Sequence, residues 1–113
     1  MHHDQSSNRA TAQAESDELD AVLLAAERGL LARMLLDCDA IWTARMLLAP
    51  ESFYLDAHGL TFAAIVALND RGEGVNLAST CDELRRRGDL GLCFGPAGVA
   101  RVFDAVPVVA DVE

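Results

Sequence analysis

His58 is the residue of this sequence whose side chain is best suited to acid–base chemistry near neutral pH. It lies in residues 53–62, FYLDAHGLTF, which also hold three of the six aromatic residues. A catalytic histidine needs an orienting carboxylate together with a nucleophile or a metal within reach. Asp56 is two residues away and would point in another direction on a helix, and no serine or cysteine motif accompanies His58. The pattern favours a buried histidine in the first turn of a helix, with its ring bonded to neighbouring backbone.

The remaining metal-ligating and nucleophilic residues also lack the spacing that their chemistry requires. Cys38, Cys81 and Cys93 form no CxxC pair, a usage typical of reduced thiols in a cytoplasmic protein. Each is predicted to be a small core or boundary residue. His2 and His3 are adjacent near the beginning of the sequence, which makes a poor metal site, and no HExxH motif is present.

Two glycine-containing stretches are candidates for phosphate-binding loops. Residues 72–74 (GEG) and 95–98 (GPAG) lack the Lys and the Ser or Thr that such a loop needs to hold a nucleotide and its magnesium ion. The sequence therefore predicts no cofactor site, no metal site and no catalytic residues in this chain.

The charge balance argues against nucleic acid as a direct partner. Eighteen acidic residues face nine basic residues, which gives a formal net charge of -9 at pH 7. Affinity for a phosphate backbone comes from clustered positive charge. Arg85, Arg86 and Arg87 form the one basic cluster, directly before Gly88. Cations followed by glycine are typical of a helix C-terminus, which we favour over a nucleic-acid patch.

The hydrophobic pattern predicts an all-α fold, a compact bundle of about five or six short helices. No segment alternates as a strand would, and half of the 113 residues are apolar with few aromatics. Residues 1–16 are polar and are predicted to be a disordered leader before a helical domain over residues 17–113. The longest charge-free run early in the first helix, residues 21–26, is too short to span a membrane. A soluble protein is expected.

The first predicted helix runs from about Ser16 to about Leu36 and carries two apolar stripes. One stripe, assigned to the core, contains Leu19, Val22, Leu23, Ala26, Leu30 and Met34. The second contains Leu24, Leu31 and Leu35. A helix that is apolar on two faces is either central in the domain or contacts a partner. These three leucines are therefore the candidate partner contacts.

Local signals place the other helices. A short helix ends before Pro50, because the residue preceding a proline avoids helical geometry. Asp56 is the expected N-cap of a helix to about residue 70, and Asn76 that of a helix closed by Gly88. A last helix begins at residues 95–96 and is stopped by Pro107.

With these signals in order, the sequence resembles the N-terminal domain of DnaB-type replicative helicases. Residues 25–36, AAERGLLARMLL, are similar to the family's EAEQ-x-x-LG-x-LL block. The family's P-x-x-F-(Y/F)-x-x-x-H-x-x-I-F-x-A-I block is matched by Pro50, Phe53, Tyr54, His58, Phe62, Ala64 and Ile65. Its following block is matched by Gly72, Val75, Asn76, Thr80, Leu84, Gly88 and Leu90. Gly95-Pro96 and Val106-Pro107 with Ala110-Asp111 resemble the closing block.

The resemblance assigns structural roles to the matching positions Glu27, Pro50, Phe53, His58, Phe62, Asn76, Leu84 and Gly88. It departs from the family at Gly59, where arginine is usual, at Asn76, where aspartate is common, and at Pro96, in place of a second glycine.

The resemblance implies a non-catalytic, dimerising collar domain that contributes to a hexameric ring and contacts primase or a helicase loader. A longer parent protein would be an ATP-dependent DNA helicase with a RecA-type ATPase. The expected partners are therefore a second copy of the chain and a primase or loader, with no strong nucleic-acid binding. The alternative is a stand-alone small helical adaptor or regulator with the same fold, and a downstream ATPase-encoding extension would distinguish the two.

Overall fold

One long helix and four shorter ones account for most of the chain. The computed structural model describes the backbone of residues 2–104 and the side chains of residues 11–104. The α-helices are α1 (His2–Leu36), α2 (Cys38–Leu47), α3 (Asp56–Asp70), α4 (Leu77–Arg87) and α5 (Gly95–Phe103). Short 3-10 helices cover Pro50–Ser52 and Gly91–Cys93. Since residues 2–104 contain no strand, the all-α prediction is confirmed.

The structure differs from the sequence prediction at the start of α1. Residues 2–16 were predicted to be a disordered leader, whereas α1 begins at His2. This segment contains no proline or glycine, and adding residues to an existing helix costs far less than nucleating a new one. Gln13 Nε2 donates to Asp17 Oδ1 at 3.0 Å, and the side chains of residues 11–19 are exposed. With 35 residues, α1 is about 52 Å long, longer than the helix predicted from about residue 16 to residue 36.

The core lies around the C-terminal half of α1. Leu31 and Met34 of α1 are fully buried, and residues from α2, α3, α4 and α5 pack in the same cluster. These include Ile41, Phe62, Ile65, Leu84 and Val99. The helix is therefore central over this half only.

The two apolar stripes of α1 are not divided between core and partner as predicted. Leu31, predicted as a partner contact, is 0% exposed, while Leu24 and Leu35 are half-buried and Leu35 packs against the core. Leu19 and Val22, predicted as core, are 69% and 65% exposed. Periodicity identifies apolar stripes, but it does not show where along a long helix the other helices pack. Leu31 is thus corrected to a core residue.

Local capping chemistry agrees with the sequence prediction at α4. Asn76 Oδ1 accepts from the Ser79 backbone N–H at 2.8 Å, and Ser79 Oγ accepts from the Asn76 N–H at 3.0 Å. Gly88 ends the helix with φ at 78°, a left-handed conformation that favours glycine. At α3 the N-cap is Leu55, without a side-chain bond, and not Asp56 as predicted.

The segment between α2 and α3 is held by close packing. Pro50 begins a 3-10 helix, and its carbonyl oxygen lies against Gly59, where any Cβ atom would collide with it. Phe53 and Phe62 pack with ring centroids 5.0 Å apart. The close approach of the Pro50 carbonyl therefore requires glycine at position 59. These contacts also place residues 54 and 55 against α1.

At the other end, α5 ends at Phe103. The predicted stop at Pro107 lies outside the described residues, as do Val106 and Ala110-Asp111 of the closing block.

Two buried threonines differ in their hydrogen bonding, so replacing each by valine should change the free energy of unfolding in opposite directions. Thr80 is 0% exposed, and its Oγ1 has no hydrogen-bond partner among the described residues. Thr61 Oγ1 instead donates to the Ala57 carbonyl at 2.8 Å. Because an unpaired buried hydroxyl costs about 1–3 kcal/mol, we expect Thr80→Val to raise the free energy of unfolding by about 1 kcal/mol. Thr61→Val should lower it by about 1 kcal/mol. Urea unfolding of both variants measures this, and equal losses would show that Thr80 is satisfied.

Candidate functional site

The carboxylate of Glu27 links α1 to the beginning of α3. Glu27 Oε2 accepts from the Tyr54 backbone N–H at 2.6 Å, and Oε1 accepts from the Leu55 N–H at 3.4 Å. Glu27 Oε1 also lies 2.8 Å from Nδ1 of His58. The side chains of Glu27 and His58 are 11% and 3% exposed. A negative charge is favourable here because it faces the N-terminal end of α3.

This arrangement corrects the partner assigned to His58 from sequence. Its Nδ1 bonds the Glu27 side chain, 31 residues earlier, and not neighbouring backbone. An ionised carboxylate only accepts, so the Nδ1–H must donate to it, which fixes the orientation of the ring. The predicted position, buried in the first turn of α3, agrees with the structure.

Although His58 has an orienting carboxylate, the thiol nearby is not activated. Cys93 Sγ lies 3.5 Å from the Ala57 carbonyl oxygen and 3.8 Å from Thr61 Oγ1. Burial raises the pKa of the Cys93 thiol above its ordinary value. A thiol that stays protonated at neutral pH is a poor nucleophile. We therefore interpret the Glu27–His58 pair as a structural link between two helices.

The buried carboxylate of Glu83 pairs with arginines near the end of α4. Glu83 is 4% exposed. It accepts from Arg71 at 2.8 Å and from Arg87 Nε at 2.8 Å, and it also pairs with Arg86. Arg85 pairs with Asp82 at 2.8 Å. Each member of the basic cluster thus has a carboxylate partner, which supports its interpretation as a paired helix end.

The outer face of α2 exposes three large apolar side chains. Trp42, Met46 and Leu47 are 56%, 80% and 75% exposed, while Ile41 and Ala44 face the core. The Arg45 guanidinium lies 5.2 Å from the Trp42 ring centroid and pairs with Asp70. No contact role was predicted for this face. A helical wheel of residues 38–47 indicates it, because apolar side chains occur on all sides of the helix.

Metal sites and membrane spans were also sought in the described part of the chain. Within it, no group of three His, Cys, Asp or Glu residues could hold a metal ion. None of the helices there is long and apolar enough to cross a membrane. Cys81 and Cys93 are buried, and Cys38 is exposed at the start of α2. The side chains of His2 and His3 lie outside the described residues.

The ion pairs of Glu27 and Glu83 differ in how far the sequence indicates them. Glu27 and His58 both fall within the matched blocks, but no spacing rule connects residues 31 positions apart. Glu83 was missed, yet Arg86 and Arg87 follow it at i+3 and i+4, the spacing of ion pairs on a helix. Its third partner, Arg71, precedes the helix and gave no signal.

Comparison with known proteins identifies relatives of this chain. A family model described as "DnaB-like helicase N terminal domain" matches residues 20–113. The "Replicative DNA helicase DnaB" of Treponema pallidum (strain Nichols) is 41% identical over 90 residues, covering 80% of this chain and 20% of that protein. The protein of the same name from Geobacillus stearothermophilus is 35% identical over 98 residues, covering 87% and 22%. The chain thus spans about a fifth of the length of these relatives.

A solved structure shares the fold. The crystal structure of the N-terminal domain of DnaB helicase from Mycobacterium tuberculosis matches with a TM-score of 0.69 and 38% sequence identity. The match covers 78% of this chain and 61% of that chain.

The Glu27 link generates a test of its structural role. We expect Glu27→Gln to lower the free energy of unfolding by about 1.5–3 kcal/mol, the range for hydrogen bonds to charged groups. Glu18→Gln, on an exposed turn of the same helix, is the matched control and should change it little. A double-mutant cycle with His58→Gln should give a coupling energy of about 1 kcal/mol or more. Full additivity in urea unfolding would show that the two side chains do not stabilise each other.

The ion pairs of Glu83 predict that its contribution to stability depends on pH. The Arg71 guanidinium, followed by those of Arg87 and Arg86, lowers the pKa of Glu83 to about 2. A pKa lowered on folding contributes stability above the unfolded value of about 4.3, and this contribution is lost as the pH falls toward 2. Glu83→Gln should therefore lower Tm at pH 6, and the difference from the wild type should shrink between pH 4.5 and pH 2.

Glu51→Gln, at an exposed position, is the control for this titration. A Tm difference between Glu83→Gln and the wild type that is independent of pH would contradict the assignment.

Proposed function

Because the chain belongs to the family of DnaB-like helicase N-terminal domains, we propose that it is the non-catalytic assembly and interaction domain of a replicative DNA helicase. The relatives are about five times longer than the matched segment. ATP hydrolysis and unwinding are expected to belong to the remainder of such a protein. This domain would supply contact surfaces, and the observation that carries the proposal is the exposed apolar face of α2.

The face of α2 suits self-association because it is apolar and carries few charges. Trp42, Met46 and Leu47 project from it, and the helix carries one acid, Asp39, and one base, Arg45, which pairs with Asp70. Two copies that meet through this face therefore bring together little like charge. A standard interface buries about 800 Å² per partner, roughly a ninth of the 7319 Å² surface of the chain.

The exposed stripe of α1 suits a different partner. Leu19, Val22 and Leu23 are exposed there, but Asp17 and Glu18 lie on the adjoining turn. Two copies pairing through this stripe would bring acids together, which is destabilising. An apolar partner surface with basic residues at its rim would be complementary. We propose the stripe as the contact for a primase or a helicase loader.

Self-association through α2 predicts a salt-dependent equilibrium. With a net charge of -9 per chain, two copies repel at low salt, and this repulsion is screened as the Debye length falls to about 3 Å at 1 M. We expect a homodimer with a Kd in the micromolar range that tightens with salt. Met46→Glu places a charge in the centre of the face and should weaken the dimer about tenfold or more. Sedimentation equilibrium at low and high salt measures both effects.

Leu92→Glu is the matched control, because Leu92 is 65% exposed but lies outside α2. It should leave the Kd unchanged. A wild-type protein that stays monomeric at high micromolar concentration and 1 M salt would overturn self-association through this chain. A dimer that Met46→Glu does not weaken would move the interface elsewhere.

A further inference from the structure

Two of the eight arginines whose side chains the structure describes lack a carboxylate partner there, and both lie in one place. Of the nine arginines in the sequence, Arg9 has no described side chain. Ion pairs with acidic residues involve Arg33, Arg45, Arg71, Arg85, Arg86 and Arg87. Arg28 and Arg101 have no carboxylate within 4.0 Å among the described residues. Both line the same cavity, between α1, the beginning of α3, and α5.

This cavity has the size and lining of a small ligand site. Its volume is about 330 Å³, at the lower end of the range for ligand pockets. Leu55, Val99 and Val102 supply apolar walls. Gly98 contributes no side chain, and a Cβ atom there would collide with the Cys93 carbonyl. An occupant that matches this lining pairs with two cations and presents carbon atoms to the apolar walls.

The polar side chains that line the cavity differ in whether they can donate a hydrogen bond to a ligand. Thr61 also lines the cavity, but its hydroxyl proton is used by the Ala57 carbonyl. His58 lines the cavity with Nδ1 fixed by Glu27, and no described residue bonds its second ring nitrogen, Nε2. The cationic donors of the lining are thus Arg28 and Arg101. Guanidinium groups bind carboxylates and phosphates with two parallel hydrogen bonds.

Phe94 adds an aromatic wall in a strained conformation. Its φ is 65°, in the left-handed region that is uncommon for residues other than glycine, and the residue is 67% exposed. An exposed aromatic side chain held in such a conformation beside a cavity is the kind of strain found at ligand-binding positions. The ring offers an apolar surface to the body of a ligand.

We propose that this cavity binds a carboxylate carried on an apolar stem, as in a small aliphatic acid or the acidic side chain of a bound peptide. The carboxylate pairs with Arg28 and Arg101, and the stem packs against Phe94 and the apolar walls. The apolar lining selects this ligand over inorganic phosphate, which has charge but no stem. This site is separate from the α2 face, so it does not depend on self-association.

Titration of the ¹⁵N-labelled full chain with valerate, followed by NMR shifts of amides lining the cavity, tests the site. We expect saturable shifts with a Kd in the millimolar range, and at least about tenfold weaker binding of both valeramide, the neutral analogue, and inorganic phosphate. The double variant Arg28→Gln/Arg101→Gln should lose about tenfold or more in affinity for valerate. Neither arginine has a described ion-pair partner, so this variant should keep its Tm.

Arg33→Gln, which removes a paired arginine of the same helix, is the control and should bind valerate like the wild type. An acetylated Leu-Glu amide tested beside valerate distinguishes the sources: tighter binding of the peptide indicates an acidic side chain, and tighter binding of valerate indicates a free acid. Equal binding of valerate and valeramide would overturn the proposal. So would unchanged binding in the double arginine variant, or no shifts at 50 mM valerate.

Discussion

The half-buried carboxylate of Glu27 is the interaction on which the position of α3 against α1 depends. Its two oxygens accept from three donors, the N–H groups of Tyr54 and Leu55 and the ring of His58. A carboxylate removed from most of its water needs such donors, so the three bonds favour the position of α3 in which all of them reach α1. One side chain on the long helix thereby determines where the second half of the domain begins.

Once α3 is placed, close packing leaves few choices for its neighbours. Gly59 allows the backbone of Pro50 to approach, and Phe62 packs on Phe53, so the segment after α2 lies over the first turns of α3. On the other side, Gly98 lets α5 approach the Cys93 carbonyl. Gly98 and Cys93 both line the cavity with Arg28 and Arg101, so this close backbone approach sets one of its walls.

How far sequence predicts this structure depends on whether the determining contact is local. The caps of α4 were predictable because Asn76, Ser79 and Gly88 act on backbone groups within a few residues. The burial of Leu31 was not, because both stripes of α1 have helical spacing and only the packing of distant helices distinguishes them. The Glu27–His58 pair was not predicted, since no spacing rule connects positions 31 residues apart. Likewise, the exposed α2 face emerges only when its inner residues are known to be buried.

The charge distribution links this architecture to the proposed role. Glu83 alone pairs with three arginines, so these cations, on the surface of a chain whose net charge is -9, are already balanced by a carboxylate. Such a surface repels a phosphate backbone, because nucleic-acid affinity depends on free cations that release counterions. What it offers instead is apolar area on α2, apolar area beside acids on α1, and a small cavity lined by Arg28 and Arg101. Under the proposed function and the proposed acid site, these features would contact protein surfaces or a small acid, so the domain would contribute to helicase assembly without competing for DNA.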